Sequence, residues 1–163
     1  MYSNTDDLSY GKRSEQSSSF ACKPVSACLA SNAVDRDIST CMRTEYIGLH
    51  STYKTVWWYV NLGDVYSVYS IRVLFRTYEK QYEKRQKGRF AGFSLYLSNT
   101  ANKQEGHLCY KDGPQLPPLD FATTCYGHGS YVIFYNERLD GTVYPTGYEK
   151  LIITELCEVV VKG

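Results

Sequence analysis

No stretch of this chain reaches the roughly 18 consecutive apolar residues of a membrane span. An excess of charge is missing too: 18 basic side chains stand against 17 acidic ones, a formal charge of +1. A nucleic-acid binder shows a clear basic excess, so nucleic acid is not expected as a partner. Basic residues do gather between Lys80 and Arg89, but half of those positions are not basic, and the run reads as a solvated loop. There is no Asn-x-Ser/Thr sequon, hence no expected N-glycosylation. GxSxG and HExxH are absent, and His50, His107 and His128 fall in predicted loops, so no hydrolase site and no enzyme are expected. Met1 is followed by polar residues rather than an apolar leader core. An extracellular domain without its own leader is expected to be part of a longer protein.

What is present begins with six cysteines in 163 residues, a length that fits one domain over 1–163 with a sizeable core. The even count favours bridges, and bridges imply an oxidising compartment, secreted or on a cell surface. No CxxC pair occurs. His107 and Cys109 with Cys125 and His128 form a weak zinc alternative, because zinc needs its ligands to converge tetrahedrally and a Pro-rich loop separates these. A Cys109–Cys125 disulfide is the stronger reading. Cys22 and Cys28 enclose a short loop around Pro24 and are close enough to bridge locally.

Tyrosine supplies 16 residues, and aromatics reach 15% of the chain. Such residues fit pleated, half-buried surfaces. Short apolar runs alternate with turn clusters, and sustained helical periodicity is absent, which predicts an all-β sandwich or barrel. The opening segment, 1–21, is polar with a first short strand near Lys12–Ser18. Ala27–Val34 reads as about one helical turn. Strands are predicted at Val56–Gly63, Tyr66–Phe75, Phe90–Leu97, Tyr131–Tyr135 and Lys150–Val161, the last being the strongest. Residues 77–89 read as a long charged loop. Pro114, Pro117 and Pro118 exclude interior strand. On the Tyr66–Phe75 strand Ile71, Val73 and Phe75 face the core, and Arg76 falls at its end.

Four constellations carry chemistry. Asn32, Asp35, Asp37, Ser39 and Thr40 place oxygen-bearing side chains along a stretch too broken for a helix. Were Cys41 bonded to Cys157, Glu158 would join them, and calcium takes about six to eight such oxygens. Taken alone, the loop is more often a solvated acidic turn, and it lacks the EF-hand pattern. Calcium ligation explains Asp35 and Asp37 better than a catalytic carboxylate pair. Secondly, Arg43, Arg76 and Arg89 are guanidiniums that loops can bring together, suited to carboxylate, phosphate or vicinal hydroxyls; alone they read as surface residues. Thirdly, adjacent Trp57 and Trp58 face opposite sides of a strand, so one enters the core and the other is a candidate platform for a sugar. Fourthly, Tyr46-Ile47-Gly48-Leu49 is a modest apolar loop tip, too little for membrane contact to be expected.

The segments Ala33-Val34-Asp35, Thr40-Cys41, Trp57 through Val68, Arg89 through Phe93 and Leu156 through Val161 resemble the F-type lectins (fucolectins). These are a calcium-containing branch of the galactose-binding-like, discoidin-type superfamily. Leu8 through Lys12 and Gln16-Ser17-Ser18 fit as well, so the resemblance covers nearly the whole chain. It implies a disulfide-stapled eight-stranded jelly-roll β-sandwich whose termini lie close together. It implies bound Ca²⁺ on Asn32, Asp35, Asp37, Thr40, the Cys157 carbonyl and Glu158. It also implies bridges Cys41–Cys157 and Cys109–Cys125, which leaves Cys22–Cys28 as the third pair.

The family's sugar site uses a histidine and two arginines. Arg43 stands where the histidine is expected, Arg76 matches the first arginine, and Arg89 matches the second across a longer loop. The adjacent-cysteine pair of the family is absent. Imidazole accepts or donates, but guanidinium only donates. The resemblance therefore implies a calcium-stabilised extracellular glycan-recognition domain that prefers an anionic or altered sugar to fucose, with a glycan or glycoprotein as partner. The alternative is a protein-binding adhesion or receptor module that has lost sugar binding.

Overall fold

The computed structural model describes residues 7–163, so the first six residues of the predicted opening segment lie outside the described residues. Nine strand segments occur among the described residues. They are β1 (Arg13–Gln16), β2 (Met42–Arg43), β3 (Ile47–Gly48), β4 (Thr55–Phe75), β5 (Ser94–Ser98), β6 (His107–Lys111), β7 (Asp120–Glu137), β8 (Leu151–Ile152) and β9 (Glu155–Lys162).

The frame is one long antiparallel strand pair. β4 runs beside β7 from Thr55 opposite Glu137 to Leu74 opposite Asp120, with register shifts between Asn61 and Tyr66 and between Val68 and Ser70. Gly63, at φ 91°, sits in the first irregularity, a conformation that glycine adopts without penalty. Bulges sharpen local twist and bend a strand, and here they divide the pair into two halves. β1 pairs with Trp58–Asn61 and β5 with Tyr131–Tyr135, so both extend the first half. β9 pairs with Ser70–Phe75 and carries β2, extending the second. Trp58, Val60 and Leu62 from one half and Ile71, Val73 and Phe75 from the other belong to one core. A folded-over sheet with alternate residues inward is a β-sandwich, as expected.

Core quality follows from ring packing. Phe75 stacks on Phe90 at 4.7 Å and Phe93 on Phe134 at 5.2 Å. Such pairs contribute roughly 0.5–1.5 kcal/mol beyond area burial. Trp58 is the inward tryptophan, fully buried, and its indole N–H donates to the Ala30 carbonyl at 3.0 Å. All three disulfides form as expected: Cys22–Cys28, Cys41–Cys157 and Cys109–Cys125. Cys41–Cys157 spans 116 residues. Closing a loop of that length restricts the unfolded chain by about 4–5 kcal/mol on the chain-entropy account.

Several boundaries differ from the sequence reading. The predicted long loop 77–89 instead holds a 3-10 turn, Lys80–Tyr82, and helix α1, Glu83–Phe90. Its apolar content is too low to show helical periodicity, because polar contacts hold it. Buried Gln86 donates to the Arg76 carbonyl at 2.9 Å and accepts from the Tyr78 amide at 3.0 Å. The predicted strand Phe90–Leu97 therefore starts only at Ser94. Ala27–Val34 becomes two short 3-10 turns, Val25–Cys28 and Ala30–Ala33. Tyr131–Tyr135 is one part of an 18-residue strand whose small polar residues hid the rest. The final strand breaks at Ile153–Thr154, and β8 pairs with β3 apart from the main sheet.

Candidate functional site

Two places carry the residues singled out by sequence. The first is the acidic loop, clasped to β9 by Cys41–Cys157. Asp35 accepts from the Asp37 amide at 3.0 Å and from the Thr40 hydroxyl. Asp37 turns to Ser39, accepting from its hydroxyl at 2.6 Å and its amide at 2.9 Å, and these bonds hold its carboxyl below the usual range. The Asn32 side-chain amide donates to the Ser26 and Cys41 carbonyls at 2.9 and 3.2 Å. Arg36 takes φ 61°, rare for a non-glycine residue, and its amide donates to Glu158 at 3.3 Å. Opposite Leu74 and Phe75, β9 shifts register from Glu158 to Leu156, so Cys157 is the extra residue of a bulge.

Glu158 decides whether this loop suits a cation. Its side chain is buried, and Oε1 has no hydrogen-bond partner. Burial pushes its carboxyl up to about 7 against the Arg36 amide, and the nearby charges of Asp35 and Asp7 add to the rise. A half-satisfied buried carboxylate among like charges is costly, and a hard cation would relieve it. Asp7 is a neighbour that sequence reasoning missed. The carboxylates alone do not close a site. Among the described residues, only His107, Cys109 and Cys125 bring three His, Cys, Asp or Glu ligand atoms within 4.8 Å of one another, and those cysteines are bridged to each other. A calcium shell here would need the hydroxyl and carbonyl oxygens expected from Thr40 and Cys157.

The second place is the arginine cluster. Arg43 on β2 lies opposite Glu155 on β9, and Arg76 follows directly on β4, its amide donating to the Glu155 carbonyl at 3.2 Å. The fully buried Glu155 carboxylate receives the Tyr78 hydroxyl at 2.8–2.9 Å, Arg76 Nη1 at 3.5 Å and Arg43 Nε at 3.9 Å. Arg43 lies over the Phe20 ring at 4.1 Å and Arg76 over Tyr78 at 5.0 Å. Arg89, on the last turn of α1, shares a cavity of about 190 Å³ with Tyr78 and Gln86. The Nε atoms of Arg43 and Arg89 are buried without a hydrogen-bond partner. Arg43 and Arg76 therefore share Glu155, which offsets one of their two positive charges, whereas Arg89 lies with Tyr78 and Gln86 and makes no ion pair with Glu155. Tyr78 and Glu155 were missed in the sequence. The available signal was a glutamate opening a largely apolar strand.

No family model and no curated protein sequence matches the chain. Solved structures do match it. The lectin domain of lectinolysin, in a structure with the Lewis b antigen, superposes at a TM-score of 0.69 and 19% identity over 97% of this chain and 96% of that one. A fucolectin from striped bass (Morone saxatilis) serum gives 0.64 and 24% identity over 98% of this chain and 47% of that one. The fold is that of the F-type lectins. A fucose-binding module of Streptococcus pneumoniae has the same β-sandwich fold, at a TM-score of 0.67 and 16% identity over 97% and 98% of the two chains. Between Arg76 and Arg89 the chain passes through the Lys80–Tyr82 turn into α1, and Arg89 belongs to the last turn of that helix.

Proposed function

We propose that this chain is a calcium-stabilised, extracellular glycan-recognition domain, with its ligand held at the loop end by Arg43, Arg76 and Arg89. The supporting observation is that Arg43 and Arg76, from separate strands, meet over one buried carboxylate at 3.9 and 3.5 Å. Such a carboxylate fixes two forks of donors and leaves an excess of positive charge facing the ligand. An anionic or altered sugar, sulfated or sialylated, suits it better than a neutral fucose. The glycan-binding solved relatives and the three disulfides support the glycan class and the oxidising compartment. Asn32, Asp35, Asp37, Thr40, the Cys157 carbonyl and Glu158 would hold Ca²⁺, whose charge would neutralise the crowded carboxylates and stiffen the clasp. No step of catalysis is assigned.

The test is an array of sulfated, sialylated, fucosylated and neutral glycans probed with the parent and Arg76→Ala. Preferential binding of anionic glycans, lost in the variant, is the expected result; equal binding by both proteins sinks the pocket assignment. One observation favours a second reading, a protein-binding adhesion or receptor module. The cavity beside Arg89, at about 190 Å³, is small for an isolated ligand site. Silence across the array, with capture of a partner ectodomain that Arg76→Ala abolishes, would select that reading.

A further inference from the structure

Trp57 is the tryptophan left outside the core. On β4 it shares the outward face with Tyr59, and across the ladder it stands opposite Tyr135, with Tyr59 opposite Ile133. The open face of an antiparallel sheet is ordinarily polar. This one carries an aromatic cluster in which Trp57 and Tyr59 lie parallel, planes within 9° and centroids 5.5 Å apart, and Tyr131 meets Tyr59 edge-on at 5.4 Å. Ile133 is 3% exposed, buried beneath these rings and outside the main core. The 3-10 turn Lys103–Glu105 and the Asn102 before it wall one side. Together they enclose a groove of about 340 Å³ lined by Trp57, Tyr59, Ile133, Tyr135, Asn102 and Lys103.

The rim defines the occupant. The Tyr59 hydroxyl donates to Glu15 at 3.1 Å and the Tyr135 hydroxyl to Glu137 at 2.9 Å. Lys103 Nζ stands 4.4 Å from the Tyr135 ring and 5.4 Å from Tyr96. An anionic ligand would meet Glu15 and Glu137, whereas a cation would meet Lys103. The volume falls within the roughly 300–1,000 Å³ of small-ligand pockets, and a specific protein interface needs about 800 Å² on each side. A neutral ligand with an apolar face and polar edges fits. A pyranose ring has that form: its C–H face packs on aromatic rings and its hydroxyls reach the rim.

We propose that this groove is a second saccharide site, for neutral pyranosides, separate from the arginine cluster and independent of what that cluster binds. Cellohexaose, laminarihexaose, N-acetylchitohexaose and lacto-N-tetraose are titrated into the parent, Trp57→Ala, Lys103→Ala and Arg76→Ala, following calorimetry and acrylamide quenching of tryptophan. Trp58 is buried, so quenching reports Trp57. The expected result is saturable binding of at least one oligosaccharide with protection of Trp57. Affinity should fall roughly tenfold or more in Trp57→Ala, less in Lys103→Ala, and stay unchanged in Arg76→Ala. The proposal is overturned if none of the four binds, or if Arg76→Ala abolishes binding that Trp57→Ala retains. It is equally overturned if Trp57→Ala merely turns a dimer into a monomer on sedimentation. Should Trp57→Ala fail to fold, unchanged binding by Lys103→Ala together with absent quench protection in the parent overturns it as well.

Discussion

At the loop end, Arg43, Arg76 and Glu155 arrive from three separate strands and meet through charge. On the sheet face, Trp57, Tyr59, Ile133 and Tyr135 come from two neighbouring strands in register and meet through contact. The first region depends on where β4 stops and β9 starts. The second depends only on alternation along a strand and on pairing across a ladder. Opposite charges at the loop end are positioned by a buried carboxylate, so substitutions there should change ligand recognition and stability together. The sheet face rests on a core that does not need its outer rings, so binding and stability should separate.

That contrast is broken most directly at the two tryptophans. Trp58→Ala should lower the unfolding free energy by about 3–5 kcal/mol, because it empties a fully buried indole site and orphans the Ala30 carbonyl. Trp57→Ala should cost about 1 kcal/mol or less, both losses being read from urea titration. Comparable losses from both would mean that the sheet-face rings belong to the core. Next in size, saturating Ca²⁺ at about 100 times its dissociation constant should stabilise the protein by about 2.7 kcal/mol by mass action. The melting temperature should rise with Ca²⁺ and fall with chelator, and Glu158→Gln should erase the increment; indifference to both would remove the metal from the clasp.

Glu155→Ala should cost about 1–3 kcal/mol, since Tyr78 loses its acceptor and Arg43 and Arg76 lose their countercharge while both guanidiniums keep some solvent. Glu155→Ala should also weaken glycan binding at the loop end and leave the Trp57 groove unaltered. The smallest effect belongs to a surface pair. Arg72 grips Asp120 with bonds of 2.8 and 2.7 Å, and those bonds hold the Asp120 carboxyl below its usual range. A depressed carboxyl contributes stability above its unfolded pKa and loses it as pH falls through its folded value. Arg72→Ala should therefore cost about 0.2–1 kcal/mol near neutral pH, shrinking below about pH 4 and with added salt.

Strand character was legible wherever apolar residues alternate with polar ones, as in Ile71, Val73 and Phe75. It was illegible in the part of β7 before Tyr131, where Gly127, Gly129 and small polar residues leave too few apolar side chains to mark a period. The arginines could be named from the sequence, but their carboxylate could not. Glu155 lies about 80–110 residues from Arg76 and Arg43 along the chain, and only the β2–β9 and β4–β9 pairings bring it to them. Helix α1 escaped notice because glutamine and carbonyl contacts, rather than an apolar stripe, hold it.

By itself, the sequence determined the all-β class, the even cysteine set and the fact that one of two adjacent tryptophans must face outward. Each of these is a local or countable property, set by alternation and composition. The tertiary structure alone decided which tryptophan that is, which acid sits between the arginines, and that Glu158 is buried with one oxygen unsatisfied. The reason is that burial and electrostatic environment belong to neighbours brought from distant parts of the chain, and a folded-over strand pair chooses those neighbours.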